Sequence, residues 1–210
     1  MASIGIWAAA LAAWVLFLAW YQNWHGPLTE AEVSAFMARL APMADPDRND
    51  LSVIERFLAE DDGREFFMLN VVRLSPEPVA DPATGAMKPA REVMDGYTRM
   101  FLPALFRRGG HPALAARKIG GFVDTWGMEP GPEWSFIGYM RYRSRRDLAI
   151  LVCDPRFSGA HDFKFAAMPQ TFNFPTRPMV MTLAGPRIWA PMAIALAAAL
   201  AQIAVLVLAR

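Results

Sequence analysis

The sequence predicts an α+β domain held between two apolar helices that are long enough to cross a membrane. Residues 4–21 and 188–209 contain no Asp, Glu, Lys or Arg. As α-helices, at about 1.5 Å per residue, both segments match a hydrocarbon core of about 30 Å. Between them, apolar runs of strand length and amphipathic helical patterns alternate in the order strand, helix, strand, strand, helix, strand. This order predicts an antiparallel sheet with helices on one face.

The first apolar segment is predicted to be an uncleaved anchor, a transmembrane helix over residues 3–22. A cleaved signal peptide carries basic residues before its apolar core and small residues at its cleavage site. Residues 1–5 contain no Lys or Arg, and Trp20, Tyr21 and Trp24 occupy the region where cleavage would occur. Such aromatic side chains are typical of membrane interfaces instead.

A second span over residues 187–209 would place both termini on one side of the membrane and the domain on the other. Basic residues close to spans favour the cytoplasmic side. Arg39, Arg177 and Arg187 lie on the domain side, against only Arg210 and the amino terminus on the other side. We therefore expect an integral membrane protein in contact with the lipid bilayer, with a cytoplasmic domain and both termini on the opposite side.

Residues 27–62 are predicted to be an amphipathic helical connector. Thr29, with Glu32 three positions later, has the pattern of a capping box at the start of a helix. Apolar residues then fall on one helical face over residues 33–40, and again over residues 53–58. We expect two short packing helices between the first span and the domain.

The α+β domain is predicted over residues 63–183. Its core elements are a strand over residues 66–74, a helix over 90–108, strands over 112–123 and 134–142, a helix from 145 to about 168 interrupted at Asp154-Pro155, and an extended stretch over 171–182. A Pro-rich loop over residues 75–89 follows the first strand. The βαββαβ order is that of the ferredoxin-like unit.

The predicted sheet has apolar side chains on both faces. In the strand over residues 134–142, Phe136 and Met140 alternate with Ile137 and Tyr139, so neither face has the pattern of a solvated surface. One face is expected to pack on the helices. A second copy of the chain is expected to cover the other, because most oligomers are symmetric homodimers.

Three stretches of the domain resemble the DUF1330 group of the dimeric α/β-barrel superfamily. They are LFRRGGHP (105–112), GYMRYRS followed by RRDLAILVCDPRF (138–157), and HDFKFAAMPQT (161–171). The resemblance covers roughly residues 65–181. It implies a dimer and a cavity, between the sheet and its helices or between subunits, that holds one small, mostly apolar molecule. Members of the superfamily include small monooxygenases, haem enzymes, isomerases and proteins with no established activity, so the fold does not select a reaction.

Four residues are candidate ligand contacts in such a cavity: Asn70, Tyr97, His111 and Tyr139. Asn70 is an amide inside an apolar strand, and a buried amide needs hydrogen-bond partners. It can equally make a structural hydrogen bond to a neighbouring loop. Tyr97 can pack in the core, and His111, at the mouth of a strand, can be a solvent-exposed turn residue or an acid or base near neutral pH.

The densest positive charge in the sequence is formed by Arg141, Arg143, Arg145 and Arg146. These side chains could bind a carboxylate or phosphate, or lie against anionic lipid headgroups. They could also make local ion pairs at a solvated strand end, for example between Arg143 and Asp147.

Metal and nucleic-acid sites are not expected, and neither is a cofactor. His25, His111 and His161 are far apart in sequence, whereas a zinc or iron site needs several converging ligands. A haem held by one axial histidine would leave no spacing signature. The formal net charge is +1, without a basic block that contains aromatic residues, so nucleic acid is not expected as a partner. His161 is interpreted as a surface residue, and the lone Cys153 as buried and inert.

Three functions fit the sequence. The first is a membrane-anchored accessory protein that binds a small lipophilic or amphipathic molecule. The second is a cofactor-free enzyme of the same fold, acting as a monooxygenase or isomerase. The third is a structural subunit of a larger membrane complex, in which the Ala-rich second span packs against partner helices. We favour the first, because the domain resembles ligand-sized barrels and shows no convincing catalytic set.

Overall fold

The computed structural model describes residues 2–127, 129, 131–181 and 185–208. The chain divides into two compact units, one formed by Met1–Trp24 with Pro178–Arg210 and the other by His25–Arg177. The predicted ends of the α+β domain at residue 183 and of the second span at residue 209 lie outside the described residues.

The terminal unit consists of two long helices, α1 (Ala2–Tyr21) and α7 (Pro186–Leu208). Both are long and apolar enough to cross a membrane. In their most apolar stretches only 0% and 6% of the residues are buried within the protein, so these side chains are available to hydrocarbon. Within the unit, the Gln202 side-chain amide donates a 2.8 Å hydrogen bond to the Ser3 hydroxyl.

Two capped helices form the connector, α2 (Glu30–Leu40) and α3 (Leu51–Ala59). The predicted capping box is present: the Glu32 amide donates to the Thr29 hydroxyl at 3.3 Å, and the Thr29 amide donates to the Glu32 carboxylate at 2.9 Å. Asp50 caps α3 by accepting from the first-turn amides. Side-chain oxygens thus accept hydrogen bonds from amides at the start of each helix, which have no partner within that helix.

The domain has four long strands, β1 (Phe66–Arg73), β4 (His111–Arg117), β5 (Phe136–Tyr142) and β6 (Gln170–Thr176). They form one antiparallel sheet with the order β4-β5-β1-β6. A separate small hairpin, β2 (Val79–Ala80) with β3 (Met87–Lys88), lies within the predicted Pro-rich loop. In the large sheet, Asn70 of β1 lies opposite Gly138 on one side and Asn173 on the other.

Three further helices complete the domain: α4 (Ala90–Arg107), α5 (Arg145–Val152) and α6 (Ser158–Ala167). The predicted interruption at Asp154-Pro155 is a short 3₁₀ turn, Pro155–Phe157, between α5 and α6. With β1, β4, β5 and β6 these helices form the predicted βαββαβ arrangement. The domain is an α+β, ferredoxin-like unit, and the two apolar terminal helices are candidate membrane spans.

A two-glycine turn joins α4 to β4. Gly109 has φ +69°, a conformation that costs other residues more because of their Cβ atom. A Cβ on Gly110 would lie 2.8 Å from the backbone oxygen of Arg141 and 2.4 Å from a Leu105 methyl group. Only residues without a side chain therefore allow the chain to turn this closely against β5.

The core of the domain lies between one face of the sheet and the helices. Buried aromatic residues join sheet and helices, with Phe66 stacked on Tyr142 at 5.2 Å and Phe101 against Phe157 at 6.5 Å. The connector packs on the domain through a second buried cluster, in which Leu58 of α3 lies with residues of α2 and α5.

Two strands end earlier than the sequence predicts. β4 ends at Arg117 and not at residue 123, because Gly120 and Gly121 have no side chain to pack, and Val123 is 95% exposed. β6 ends at Thr176, next to the start of β1, so that no strand remains to pair with the segment that follows. Pro178 also lacks the amide that a ladder requires.

Candidate functional site

A cavity of about 460 Å³ lies between the sheet and the helices of the domain. Its floor is the inner face of β1, β5 and β6, and its walls come from α3, α4, α5 and α6. Most lining side chains are apolar. The polar or titratable ones are Asn49, Asn70, Tyr97, Thr98, Tyr142, His161, Lys164, Thr171 and Asn173. A mostly apolar cavity with a few polar groups is the usual form of a small-molecule site.

The floor has a polar row at its centre. Gly138, Asn70 and Asn173 are neighbours across β5, β1 and β6, and all three line the cavity. The Asn70 amide nitrogen donates to the carbonyls of Met68 at 3.1 Å and Gly138 at 3.3 Å. The side-chain oxygen of Asn70 accepts no hydrogen bond from the part of the chain that the structure describes, which leaves it available to a ligand.

Tyr97 of α4 forms one side of the cavity. Its ring stacks on Phe101 with 5.2 Å between ring centres and on His161 of α6 with 6.3 Å. Burial raises the pKa of the Tyr97 hydroxyl, so Tyr97 stays protonated at neutral pH and can donate a hydrogen bond.

Lys164 and His161 bring titratable nitrogens to the same wall. The Lys164 ammonium lies 5.9 Å from the centre of the Tyr97 ring. Burial lowers the pKa of Lys164. Burial also lowers the pKa of His161, and the positive charge of Lys164 acts in the same direction. His161 is therefore neutral at pH 7 and can accept a proton.

The sequence interpretation placed neither Lys164 nor His161 in a site. Lys164 is one turn from Ala160 and from Met168, which are 0% and 7% exposed, so it lies on the buried side of α6, where it is itself half-buried. This four-residue spacing was the available signal, because residues at i and i+4 share a helix face.

Of the four residues that the sequence predicts as ligand contacts, Asn70 and Tyr97 line the cavity, whereas His111 and Tyr139 do not. Tyr139 alternates along β5 with Gly138 and Met140, which line the cavity, so its side chain points to the opposite face of the sheet. The His111 ring nitrogen Nδ1 lies 3.0 Å from the Pro112 carbonyl oxygen at the start of β4. Burial lowers the pKa of His111.

Two of the four clustered arginines have partners near β5. Arg141 is 1% exposed, and its Nε donates to Glu65 at 2.8 Å, while Nη1 donates to the Gly109 carbonyl. Arg143 donates two 2.8 Å hydrogen bonds to Asp147, which is the local pair that the sequence suggested. Arg141 thus holds the turn after α4 against the sheet.

The other two arginines join α5 to the connector. Arg145 pairs with Asp61 at 3.6 Å, donates to the Phe57 carbonyl, and lies over the Phe57 ring at 4.5 Å. Arg146 pairs with Glu32 at 2.9 Å. Their positive charges are therefore offset by carboxylates of this chain, and contact of the cluster with an anionic surface stays a prediction.

No group of three or more His, Cys, Asp or Glu side chains in the described segments is placed to hold a metal ion. Cys153 is 4% exposed, and burial raises the pKa of its thiol. A buried thiol with a raised pKa is a poor nucleophile.

No protein-family model matches the chain, and no curated protein matches it, so the resemblance to DUF1330 stays a prediction. A solved protein of unknown function from Rhodopseudomonas palustris is 23% identical with a TM-score of 0.52, covering 63% of this chain and 96% of that one. Its methylated form gives 24% identity and a TM-score of 0.52, covering 64% and 96%. A dimeric protein of unknown function with a ferredoxin-like fold from Bacteroides fragilis is 12% identical, covering 54% and 96%, with a TM-score of 0.33. The Rhodopseudomonas palustris protein supports the fold alone.

Proposed function

We propose that this chain is a membrane-anchored α+β protein that binds one small lipophilic or amphipathic molecule, in an accessory role. The observation that carries the proposal is the cavity of about 460 Å³ between sheet and helices. Binding cavities for small molecules are commonly about 300–1,000 Å³ and mostly apolar. The central polar row, Asn70 with Asn173, offers hydrogen bonds to a polar group within the body of such a molecule.

The anchoring part of the proposal rests on α1 and α7. Each would cross the bilayer once, and the domain would lie on the cytoplasmic side with both termini opposite. A cysteine at Asp124, in an exposed loop of the domain, tests this sidedness. We expect a membrane-impermeant maleimide to label Asp124→Cys only after cells are opened. Labelling in intact cells would show that the domain lies on the outer side of the membrane. Cys153 gives little background labelling because it is buried.

A second copy of the chain is the proposed partner of the sheet face that points away from the cavity. Phe172 and Phe174 of β6 are 46% and 47% exposed and stack on each other along this face. Leu114 of β4 is 43% exposed. An apolar sheet face of this kind is stabilised when a second protein surface removes it from water.

Native mass spectrometry of the protein extracted from its own membrane in mild detergent tests the ligand proposal. We expect a discrete dimer that releases a stoichiometric organic molecule on denaturation. The variant Gly138→Val should lose this molecule, because a Cβ at Gly138 has only Met140 nearby, at 3.5 Å, and the branched side chain would occupy the cavity floor.

The matched control is Gly120→Val, at an exposed loop glycine with no atom within 4 Å of an added Cβ. It should retain the bound molecule. An empty wild-type protein would contradict the proposal, and an empty protein released from a larger assembly would favour a structural subunit. Equal ligand retention by Gly138→Val would place the molecule outside this cavity.

A cofactor-free enzyme is the second candidate, favoured by three side chains on facing helices. Tyr97 of α4 is stacked on His161 of α6, and Lys164 lies beside both. A neutral histidine in an apolar wall can act as a general base. Chemical change of the bound molecule by wild type, lost in His161→Gln with binding retained, would favour the enzyme over the accessory binder.

A further inference from the structure

We infer that the molecule bound in this cavity is an amphipathic carboxylate, and that its carboxylate pairs with the ammonium group of Lys164. The inference rests on the proposed function, since it names the chemical class of the ligand for that cavity. It assigns the polar end of the ligand to the wall formed by α4 and α6, and the apolar body to the remaining cavity.

The position of Lys164 is unusual for a lysine. It shares the buried face of α6 with Ala160 and Met168, between two parts of the apolar core. Lysine side chains commonly extend their ammonium group to water, whereas this one lies over the Tyr97 ring and lines the cavity. An ammonium in apolar surroundings is costly unless an anion accompanies it.

The chain does not supply that anion within its described residues. Lys88 pairs with Asp81 at 2.5 Å and Lys118 pairs with Glu133 at 2.7 Å. The ammonium group of Lys164 makes neither an ion pair nor a hydrogen bond with any described residue, and the residues that line the cavity include no Asp or Glu. Lys164 is thus the one lysine of the three whose charge is left for a ligand.

The surroundings of Lys164 favour a carboxylate over a phosphate. Phosphates are commonly held by arginine forks or by several cations, and the cavity lining contains no arginine. One ammonium offsets the single charge of a carboxylate, and the Tyr97 hydroxyl can donate to its second oxygen. The other lining residues are mostly apolar, which suits an aliphatic or aromatic body.

Isothermal titration calorimetry on the full chain in lipid nanodiscs tests the inference. Dodecanoate, dodecanol and dodecyl phosphate share one apolar body and differ in the head group, and empty nanodiscs correct for partition into lipid. We expect wild type to bind dodecanoate at least tenfold more tightly than the other two. Lys164→Met keeps an unbranched side chain of similar length without the charge, and should bind dodecanoate and dodecanol equally. The control Lys118→Met, at an exposed ion pair, should retain the wild-type preference.

The outcomes separate the two proposals. If wild type and Lys164→Met bind all three compounds with the same affinity, the cavity binds small molecules and the carboxylate inference is overturned. A preference for dodecyl phosphate in wild type would also overturn it. If wild type binds none of the compounds and also carries no molecule in native mass spectrometry, the proposed function itself fails. A preserved near-ultraviolet circular dichroism spectrum shows that each variant is folded.

Discussion

Arg146 of α5 donates a 2.9 Å hydrogen bond to each carboxylate oxygen of Glu32 in α2, although the two residues are 114 positions apart in the chain. The same guanidinium group donates to the carbonyls of Gly26 at 3.0 Å and Pro27 at 2.9 Å. Four hydrogen bonds from one side chain therefore hold the start of the connector against the first turn of α5.

Replacement of Arg146 by alanine is expected to lower the free energy of unfolding by about 1–2 kcal/mol, since the pair is partly exposed and its charges are screened by water. Denaturant unfolding of the full chain in detergent, followed by tryptophan fluorescence, measures this change. Arg156→Ala is the matched control, because among the described residues the guanidinium group of Arg156 pairs with Asp154, two positions away, and with no other carboxylate. An equal effect of the two substitutions would contradict a special role for Arg146.

The Glu32–Arg146 pair is also expected to make stability depend on pH. Hydrogen bonding by Arg146 lowers the pKa of Glu32 from 4.5 to about 2. Because the folded state binds this proton more weakly than the unfolded state, the stabilisation is present above pH 4.5 and disappears as the pH falls towards about 2. The stability difference between wild type and Arg146→Ala should shrink over this range. A difference that is constant down to pH 2 would contradict the assignment.

Lys164→Met is expected to raise the free energy of unfolding of the ligand-free protein by about 1–3 kcal/mol, because it removes an unpaired ammonium from apolar surroundings. The effect has a definite pH dependence. Burial lowers the pKa of Lys164 below its ordinary value of 10.5, so the folded state binds the proton less well and the penalty decreases as the pH rises towards 10.5. Thermal unfolding at pH 7 and pH 10 measures both effects. A less stable variant at pH 7 would show that the ammonium has a partner.

Gly96→Ala is expected to destabilise the domain by about 1–3 kcal/mol, as overpacking of a filled core commonly does. A Cβ at Gly96 of α4 would lie 2.4 Å from the Phe163 ring of α6, and this clash outweighs the higher helix propensity of alanine. Gly159→Ala is the control, because an added Cβ has no atom within 4 Å, and it should be neutral or stabilising. Similar midpoints for both variants in thermal unfolding would contradict the close α4–α6 contact.

Cys153 is expected to react slowly with iodoacetamide in the folded protein and rapidly after denaturation. Its side chain is buried, and burial raises the pKa of the thiol, so the thiolate that reacts is scarce and inaccessible. Intact-mass spectrometry at increasing reaction times follows the addition. Complete modification of the native protein within minutes would show that α5 opens readily.

The order of the elements could be predicted because each has a local signal. The apolar run of β1, the four-residue spacing in α4 and the cap at Ser144 each depend on residues close in sequence, and the Ser144 hydroxyl does accept from the Asp147 amide at 3.1 Å. Strand ends had no such signal. The end of β6 depends on where β1 begins, more than 100 residues earlier in the chain.

The site was predicted in part for a related reason. Alternation along β5 gives two apolar sets, and only the packing of the helices decides that Gly138 and Met140, and not Tyr139, face the cavity. Lys164 was missed because a single charged residue on a short helix is commonly exposed to solvent, although its four-residue spacing from Ala160 and Met168 places it on their helix face.

The wall of the cavity that α3 forms has a consequence for the rate of ligand exchange. Phe57 of α3 lines the cavity, and Arg145 holds its carbonyl and its ring from the side of α5. The sheet could thus stay intact while a molecule enters or leaves past α3. By that route, the contacts between Arg145 and Phe57 would have to break in addition to those of the head group, so both would limit the residence time of the ligand.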